Sequence, residues 1–156
     1  MASSTSRTAT PSATRDASAA VASALRTLDA EASGITALVN ALQSDLGSAF
    51  DAAVELVRNA KGRLIVTGLG KSGHIGKKMA ASFASTGTPS FFVHAAEASH
   101  GDLGMITTDD VILALSWSGE TAELKNLINY LRRFRIGLIA VTSEANSTLG
   151  AAADVV

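Results

Sequence analysis

The fold of this 156-residue chain is decided by residues 64–76, which read LIVTGLGKSGHIG. The apolar run Leu64-Ile65-Val66 has the composition of a buried strand, and a helical pattern follows the glycines. Glycine permits a tight bend and close backbone approach, and the start of a helix presents free amide groups and the positive end of its dipole. Residues 68–76 are therefore interpreted as an anion-binding turn between a strand and a helix.

Three ligand classes use turns of this kind, and the spacing separates them. A Walker A loop is excluded, because Ile65 stands where that motif requires a glycine. The first three glycines of the segment do match the G-x-G-x-x-G pattern of a dinucleotide site. The next strand, however, ends at His94 and not at the acid that would bind a ribose hydroxyl, although Glu97 is close by. The third class is a small phosphorylated metabolite.

A second polar turn follows the apolar run at residues 111–115. It contains the hydroxyl side chains of Ser116, Ser118 and Thr121 around Gly119, and hydroxyl groups can donate hydrogen bonds to an anion. We expect the next helix to begin at about Thr121 and to add its free amide groups. One such turn could be an ordinary helix N-cap. Two of them favour a ligand, because open α/β sheets bind ligands at the carboxyl ends of their strands.

Length and composition indicate one small α/β domain. The chain is 47% apolar, which is enough to bury a core, and its apolar runs alternate with helical patterns. The net charge of −1 argues against nucleic-acid binding, and Arg132, Arg133 and Arg135 are interpreted as a solvated helix end. The lack of cysteine suits the cytoplasm and excludes thiolate metal sites. No apolar run is long enough to span a bilayer.

The first fifteen residues are expected to form a disordered tail, because they are nearly all serine, threonine and alanine. An organelle transit peptide has a similar composition, and we interpret the segment as a bacterial tail. The domain is then expected to span residues 16–156. It begins with a helical pattern over residues 16–46, and a second helix is predicted to start with Ser48 as its N-cap.

Four strands are predicted after these two helices, at residues 63–67, 90–93, 111–115 and 136–141. Because a loop and helix or other crossover follows each of the first three, the strands should be parallel. Further helices are predicted at about residues 72–85, 121–134 and 147–153. The last residues, Asp154 to Val156, have the pattern of another strand that does not complete, so the domain is expected to be incomplete at its C-terminus.

Four motifs occur in order at residues 68–76, 84–89, 97–104 and 116–120, and they read GLGKSGHIG, ASTGTP, EASHGDLG and SWSGE. Together they closely resemble the sugar isomerase (SIS) domain of the arabinose 5-phosphate isomerases, from about residue 16 to the end. Two positions depart from the family pattern. Ala95 stands where the family usually has proline, and Trp117 where a smaller or polar residue is common.

The resemblance implies a three-layer α/β fold of flavodoxin-like topology, with a mostly parallel five-stranded sheet whose last strand is truncated here. It implies a homotetramer, with sites near subunit interfaces, that binds a sugar phosphate. We expect no cofactor, and no metal site because the three histidines are spread along the chain; we expect the protein to be cytoplasmic. The implied reaction interconverts D-arabinose 5-phosphate and D-ribulose 5-phosphate, for Kdo and lipopolysaccharide or capsule precursors. Family members usually carry two CBS modules and a His-Pro-Gly-Gly segment, which this sequence lacks.

An aldose–ketose isomerase needs a base, a partner acid and an electrophile near the carbonyl. Glu123 is the candidate base, Lys71 would pair with phosphate or stabilise the enediolate, and His100 would serve ring opening or proton transfer. Each also has a structural interpretation. Glu123 would be an acid that the helix dipole favours, Lys71 a lysine that faces solvent, and His100 a histidine with a structural role. His74 and His94 are weaker candidates. The candidate phosphate ligands are Gly70, Ser72, Gly73, Ser116, Ser118 and Thr121.

Two other functions stay open at this point. A nicotinamide-dependent oxidoreductase would explain the first turn but leaves the second turn and the His100 loop without a role. A non-catalytic sugar-phosphate sensor would explain both turns and leaves Glu123 unused. Binding without turnover is also compatible with a domain that is expected to be incomplete.

Overall fold

The computed structural model describes residues 13–98 and 101–156, with side-chain detail from residue 18 onward. The chain divides into two compact units, of which the first ends at Gly47 and the second, Ser48–Val156, contains the sheet. This boundary falls inside the span that the sequence predicts as one domain. In the described residues, no helix combines the length and the hydrophobicity that crossing a membrane would require.

One long helix, α1, makes up most of the described part of the first unit and spans Ala13–Leu42. It includes the end of the segment predicted as a disordered tail, while residues 1–12 lie outside the described residues. Gly34 does not interrupt the helix. Its apolar side chains are exposed, with Leu28 at 59% and Ile35 at 66%. The sequence therefore predicts the helix, although it ends at Leu42 and not at about residue 46.

Four strands form the sheet, in the spatial order β2-β1-β3-β4. Their bounds agree with the predicted ones to within one residue at each end, namely β1 Leu64–Gly68, β2 Ser90–His94, β3 Val111–Leu115 and β4 Gly137–Val141. All three neighbouring pairs are parallel, as predicted from their connections. The continuous apolar runs are typical of strands that are buried on both faces.

The prediction of five strands is wrong for the described residues, in which the sheet has four. The segment predicted to open a further strand makes a single parallel bridge between Val155 and Ile139 of β4. The Val155 carbonyl accepts a hydrogen bond from Ala140, and the Asp154 carboxylate accepts one from Leu138, both at 2.8 Å. This pairing extends the order 2-1-3-4 in the flavodoxin-like direction, but it is too short to form a strand.

Helices cover both faces of the sheet. One apolar cluster joins helices α2 (Asp45–Arg58) and α3 (Gly70–Ser85) to Leu64, Val66 and Leu113. The other joins α4 (Ala95–Ala98) and α5 (Leu124–Phe134) to Ile65 and Ile112. Alternate residues of each strand therefore enter opposite cores, which confirms the three-layer α/β architecture.

Several helix boundaries differ from the prediction. Helix α2 begins at Asp45, directly after the turn at Gln43-Ser44, so Ser48 lies inside the helix and is not its N-cap. Helix α5 begins three residues later than predicted, for a reason given below. The helix predicted at residues 147–153 is only a 3₁₀ helix, Gly150–Ala152. Helix α4 and a second 3₁₀ helix, Asp102–Met105, were not predicted.

An ion pair joins the amino ends of β1 and β3. The carboxylate of Asp110, a residue only 2% exposed, accepts hydrogen bonds from the backbone N–H (2.8 Å), Nε (3.0 Å) and Nη2 (2.9 Å) of Arg63. It also accepts from the N–H and the hydroxyl of Thr107, at 2.8 and 3.0 Å. A buried charge is tolerated when its partners satisfy it in this way.

Burial alone would raise the pKa of the Asp110 carboxyl. The hydrogen bonds from Arg63 and Thr107 outweigh that effect and lower the pKa from 3.8 to about 2. The folded protein therefore holds the charged form more strongly than the unfolded chain does. The resulting stabilisation is fully present above about pH 4 and is lost as the pH falls through 2.

We expect Asp110→Asn to lower the free energy of unfolding at pH 7 by about 2 kcal/mol, the equivalent of the shift in the pKa of Asp110. Urea unfolding at pH 7, 5 and 3 measures this loss. The difference in the free energy of unfolding between the variant and the unmodified chain should become smaller as the pH falls towards 2. Asp109→Asn is the matched control, because that neighbouring side chain is exposed. An equal loss in both variants, or a difference that does not change with pH, would contradict the assignment.

Candidate functional site

The two polar turns lie side by side at the carboxyl edge of the sheet. Gly68 at the end of β1 is paired in register with Leu115 at the end of β3. Strand β2 lies on one side of β1, and β3 lies on the other side of β1. Such a reversal of strand order opens a crevice outside the carboxyl ends of the strands, where open α/β sheets bind ligands.

The first turn leads directly into the amino terminus of α3. Leu69 is the N-cap and supplies no side-chain hydrogen bond, and Gly70 adopts a φ of +56°. The first amide groups of a helix have no partner within the helix. Here no cap side chain occupies them, so their hydrogens and the positive end of the helix dipole are available to an anion.

Glycines allow α3 to approach the end of β1 very closely. A Cβ atom on Gly68 would lie 3.1 Å from the Leu115 carbonyl oxygen, and one on Gly73 would lie 3.0 Å from the Gly68 carbonyl oxygen. Lys71 is exposed at the start of the helix, and Ser72 is half-buried. The predicted residues Gly70, Lys71 and Ser72 thus lie together at the start of α3. Gly73 lies in the same turn and lets the helix pack against the Gly68 backbone.

The second turn contains a direct hydroxyl pair. The Ser116 and Thr121 side-chain oxygens are 2.7 Å apart, and the Gly119 N–H donates to the Ser116 hydroxyl at 3.2 Å. The exposed Ser118 hydroxyl accepts from the Glu120 N–H at 3.2 Å. The structure therefore brings together the three predicted hydroxyl residues, and the hydrogen bonds that it gives them lie within the turn.

The prediction that the helix begins at about Thr121 and adds its free amide groups to the second turn is wrong, because α5 begins at Leu124. Gly119 has a φ of +65°, and a non-helical turn follows in which the Leu124 N–H donates to the Thr121 carbonyl at 3.1 Å. Glu123 is the exposed N-cap of α5 and makes no side-chain cap hydrogen bond. Glu123 therefore lies directly before the helix and not inside its first turn.

The loop after β4 holds the second turn in place, and the sequence did not identify this role. The Trp117 carbonyl accepts hydrogen bonds from the Ser143 N–H (3.0 Å), the Ser143 hydroxyl (2.7 Å) and the Thr142 hydroxyl (3.1 Å). The Trp117 side chain itself is 82% exposed. The available signal was the hydroxyl-rich run TSEANST at residues 142–148, directly after another strand.

Glu120 makes a second link to the same loop. Its carboxylate accepts from the Thr148 N–H at 2.6 Å and from the Thr148 hydroxyl at 2.7 Å. Both hydrogen bonds lower the pKa of Glu120, and the bond from the Thr148 hydroxyl has the larger effect. Glu120 therefore stays charged near neutral pH and positions the turn.

The histidine candidates are less well defined. His100 lies outside the described residues. His94 ends β2 in register with Gly68, and its Nδ1 accepts a hydrogen bond from the Ala96 N–H at 3.3 Å. His74 is exposed on α3. In the part of the chain that the structure describes, no group of three or more acidic or histidine side chains could hold a metal ion.

Thr67, directly before the first turn, is another polar residue at this edge that the sequence did not single out. Its hydroxyl is buried and has no hydrogen-bond partner in the structure. A groove of about 690 Å³ lies elsewhere, on the α2 and α3 face, and is lined mainly by apolar residues such as Phe50, Met79 and Phe83. Such a lining does not suit a charged phosphate.

The fold and the crevice are those of a parallel α/β domain with a ligand site at the reversal of its strand order. Residues 56–156 match the profile of the SIS domain. The chain therefore belongs to the SIS domain family.

Curated relatives and solved structures agree with this assignment. The chain is 57% identical over 117 residues to the arabinose 5-phosphate isomerase KdsD of Pseudomonas aeruginosa, covering 75% of this chain and 36% of that protein. It is 56% identical over 106 residues to KdsD of Escherichia coli K12, covering 68% and 32%. An Escherichia coli CFT073 structure in complex with arabinose 5-phosphate has a TM-score of 0.73 and 37% identity, over 86% of this chain and 71% of that one. The chain spans about a third of the length of the curated relatives it matches.

We expect Gly119→Ala to lower the free energy of unfolding by about 2 kcal/mol or more, because L residues rarely adopt a positive φ and the added Cβ would collide with the Ser147 side chain. Urea unfolding measures this loss. Gly104→Ala is the matched control, since a Cβ there meets nothing within 4 Å. Equal stability of the two variants would contradict the packing of the second turn against Ser147.

Proposed function

We propose that this domain binds arabinose 5-phosphate in the crevice between its two turns and isomerises it to ribulose 5-phosphate. The observation that carries the proposal is the register of β1 and β3, which sets the uncapped start of α3 beside the Ser116 and Thr121 hydroxyl pair. Amide hydrogens, a helix dipole and hydroxyl groups together suit a phosphate.

The names of the relatives support the choice of substrate. Proteins more than 50% identical over about two thirds or more of this chain are called arabinose 5-phosphate isomerases, and the Escherichia coli CFT073 structure is a complex with arabinose 5-phosphate. A cytoplasmic homotetramer that makes precursors of Kdo or capsule belongs to the same proposal and rests on the family resemblance.

The reaction moves one proton between neighbouring carbons. A base removes the proton from C2 of the open-chain aldose, and the carbonyl oxygen at C1 gains a proton to give the enediol. The C2 hydroxyl then loses its proton to become the new carbonyl, and a proton is delivered to C1. We assign the base to Glu123 at the N-cap of α5 and the stabilisation of negative charge to Lys71 at the start of α3. His100 is assigned to ring opening. General acid–base groups accelerate such steps about 10²–10⁴-fold.

Binding is tested by intrinsic fluorescence, because Trp117 is the only tryptophan of the chain and lies between Ser116 and Ser118. We expect arabinose 5-phosphate to change its emission saturably, and unphosphorylated arabinose and NAD to have no effect. A response to NAD alone would favour the oxidoreductase, and no response to any ligand would contradict the proposal.

Ser118→Ala with Thr121→Val should weaken binding of arabinose 5-phosphate at least tenfold, since two hydrogen bonds to a charged group are lost. The same titration measures it. The matched control is Ser85→Ala with Thr86→Ala, a hydroxyl pair at the opposite end of α3. If the affinity of the first variant equals that of the control, these hydroxyls do not bind the phosphate.

Glu123→Gln should slow isomerisation about 100-fold or more while leaving binding intact. The rate is followed by NMR as incorporation of deuterium from D₂O into the sugar phosphate. Glu144→Gln, an exposed acid in the loop after β4, is the control. Full exchange in Glu123→Gln would disprove the assignment of the base. Binding without any exchange in the unmodified chain would favour the alternative, a non-catalytic sugar-phosphate module.

A further inference from the structure

Thr67 carries a hydroxyl group that the described protein groups leave unpaired. The residue is 1% exposed, and its Oγ1 atom has no hydrogen-bond partner among them. A buried polar atom without a partner costs free energy, so hydroxyls in protein interiors nearly always bind a side chain, the backbone or an ordered water. Valine has the same shape and would fill the position without that cost. Thr67 is therefore a candidate for a role in binding.

The strand register places this hydroxyl beneath the second turn. Ile65 and Ala114 belong to the core that packs against α4 and α5. Thr67 is two residues after Ile65 and in register with Ala114, so its side chain lies on the same face of the sheet. Ser116 is two residues after Ala114 and continues the pairing with β4, because its N–H donates to the Val141 carbonyl at 3.1 Å. The Thr67 and Ser116 hydroxyls are thus neighbours on one face.

The distance between the two hydroxyls suits one water molecule. Adjacent strands lie about 4.8 Å apart and two residues of a strand cover about 6.6 Å, so the Cα atoms of Thr67 and Ser116 are roughly 8 Å apart. A water that makes two hydrogen bonds of about 2.8 Å spans roughly 5 Å, and the two side chains cover the remainder. Ala114 is next to both residues and has only a methyl group, so no bulky side chain separates the hydroxyls.

We propose that Thr67 is a positioning residue that binds one ordered water against Ser116 and thereby orients the hydroxyl pair towards the phosphate. The Ser116 oxygen accepts from the Gly119 N–H and is 2.7 Å from the Thr121 oxygen, in a bond that either hydroxyl can donate. A water held by Thr67 that donates to Ser116 fills the second acceptor site of that oxygen, so Ser116 must donate to Thr121. Thr121, which is half-buried where Ser116 is buried, then directs its own hydrogen out of the pair.

Such a chain of hydrogen bonds is stronger than its separate members, because each bond polarises the next. The Thr121 hydrogen at its end reaches the crevice between the two turns. The consequence for substrate binding rests on the proposed function, whereas the water itself is tested without any ligand.

The test compares two buried hydroxyls at opposite edges of the sheet. Thr67→Val removes the first hydroxyl and keeps the shape of the side chain, and Thr67→Ser keeps the hydroxyl. The matched control is Ser90→Ala, because the Ser90 hydroxyl is also buried without a partner among the described residues but lies at the start of β2, on the amino edge. Crystal structures locate the water, urea unfolding measures stability, and the Trp117 titration and the isomerisation rate measure the effect on arabinose 5-phosphate.

High-resolution crystal structures of the unmodified chain and of Thr67→Ser should show a water within hydrogen-bond distance of the hydroxyl at position 67 and of the Ser116 hydroxyl. Thr67→Val should lack this water. Thr67→Val should also not raise the urea midpoint, since a hydroxyl that binds water is not left unpaired in the folded state. A missing water in the unmodified chain, or a midpoint that rises in Thr67→Val, would overturn the proposal.

Thr67→Val should weaken binding of arabinose 5-phosphate about fivefold or more, because an oriented hydroxyl is lost. KM should rise while kcat stays close to that of the unmodified chain, and Thr67→Ser and Ser90→Ala should both bind like the unmodified chain. An equal loss in Ser90→Ala, or no loss in Thr67→Val, would show that Thr67 does not position the pair. If the unmodified chain itself does not bind the sugar phosphate, the proposed function fails and the crystal structures still decide whether Thr67 holds the water.

Discussion

The close approach of α3 to the end of β1 is the constraint on which the rest of the structure depends. Gly68 and Gly73 meet backbone to backbone, and a side chain at either position would press on the Leu115 carbonyl or on Gly68 itself. Because α3 can start immediately at the edge of the sheet, its uncapped amide groups lie next to the end of β3. The distance between the two turns is thus determined by the absence of two Cβ atoms.

The sequence predicted the strands well and the helix starts less well, for one physical reason. A strand buried on both faces must be a short apolar run, and that signal is local. The start of α5 depends on contacts that are distant in sequence, because Gly119 packs against Ser147 and the Glu120 carboxylate binds Thr148. No pattern within residues 116–124 indicates those partners, so a helix was predicted to begin at Thr121.

The candidate site shows the same difference between local sequence signals and contacts that are distant in sequence. Ser116, Ser118 and Thr121 could be grouped from the sequence because they share one turn, whereas the anchoring of Trp117 by the loop after β4 requires the sheet order to be known. For α1, periodicity identified the helix and its apolar face. Periodicity does not say whether that face meets the same chain or another, because the burial of a face is a property of the assembled molecule.

The Arg63 and Asp110 ion pair lies at the amino ends of β1 and β3, and both polar turns lie at their carboxyl ends. A strand of five residues separates the two by roughly 15 Å. The amino edge therefore contributes stability at neutral pH that is lost in strong acid, while the carboxyl edge carries the candidate site. In an evolving lineage, loops at the carboxyl edge could be exchanged to suit new ligands without weakening the opposite edge, which makes this sheet a tolerant scaffold for divergence and for engineered specificity.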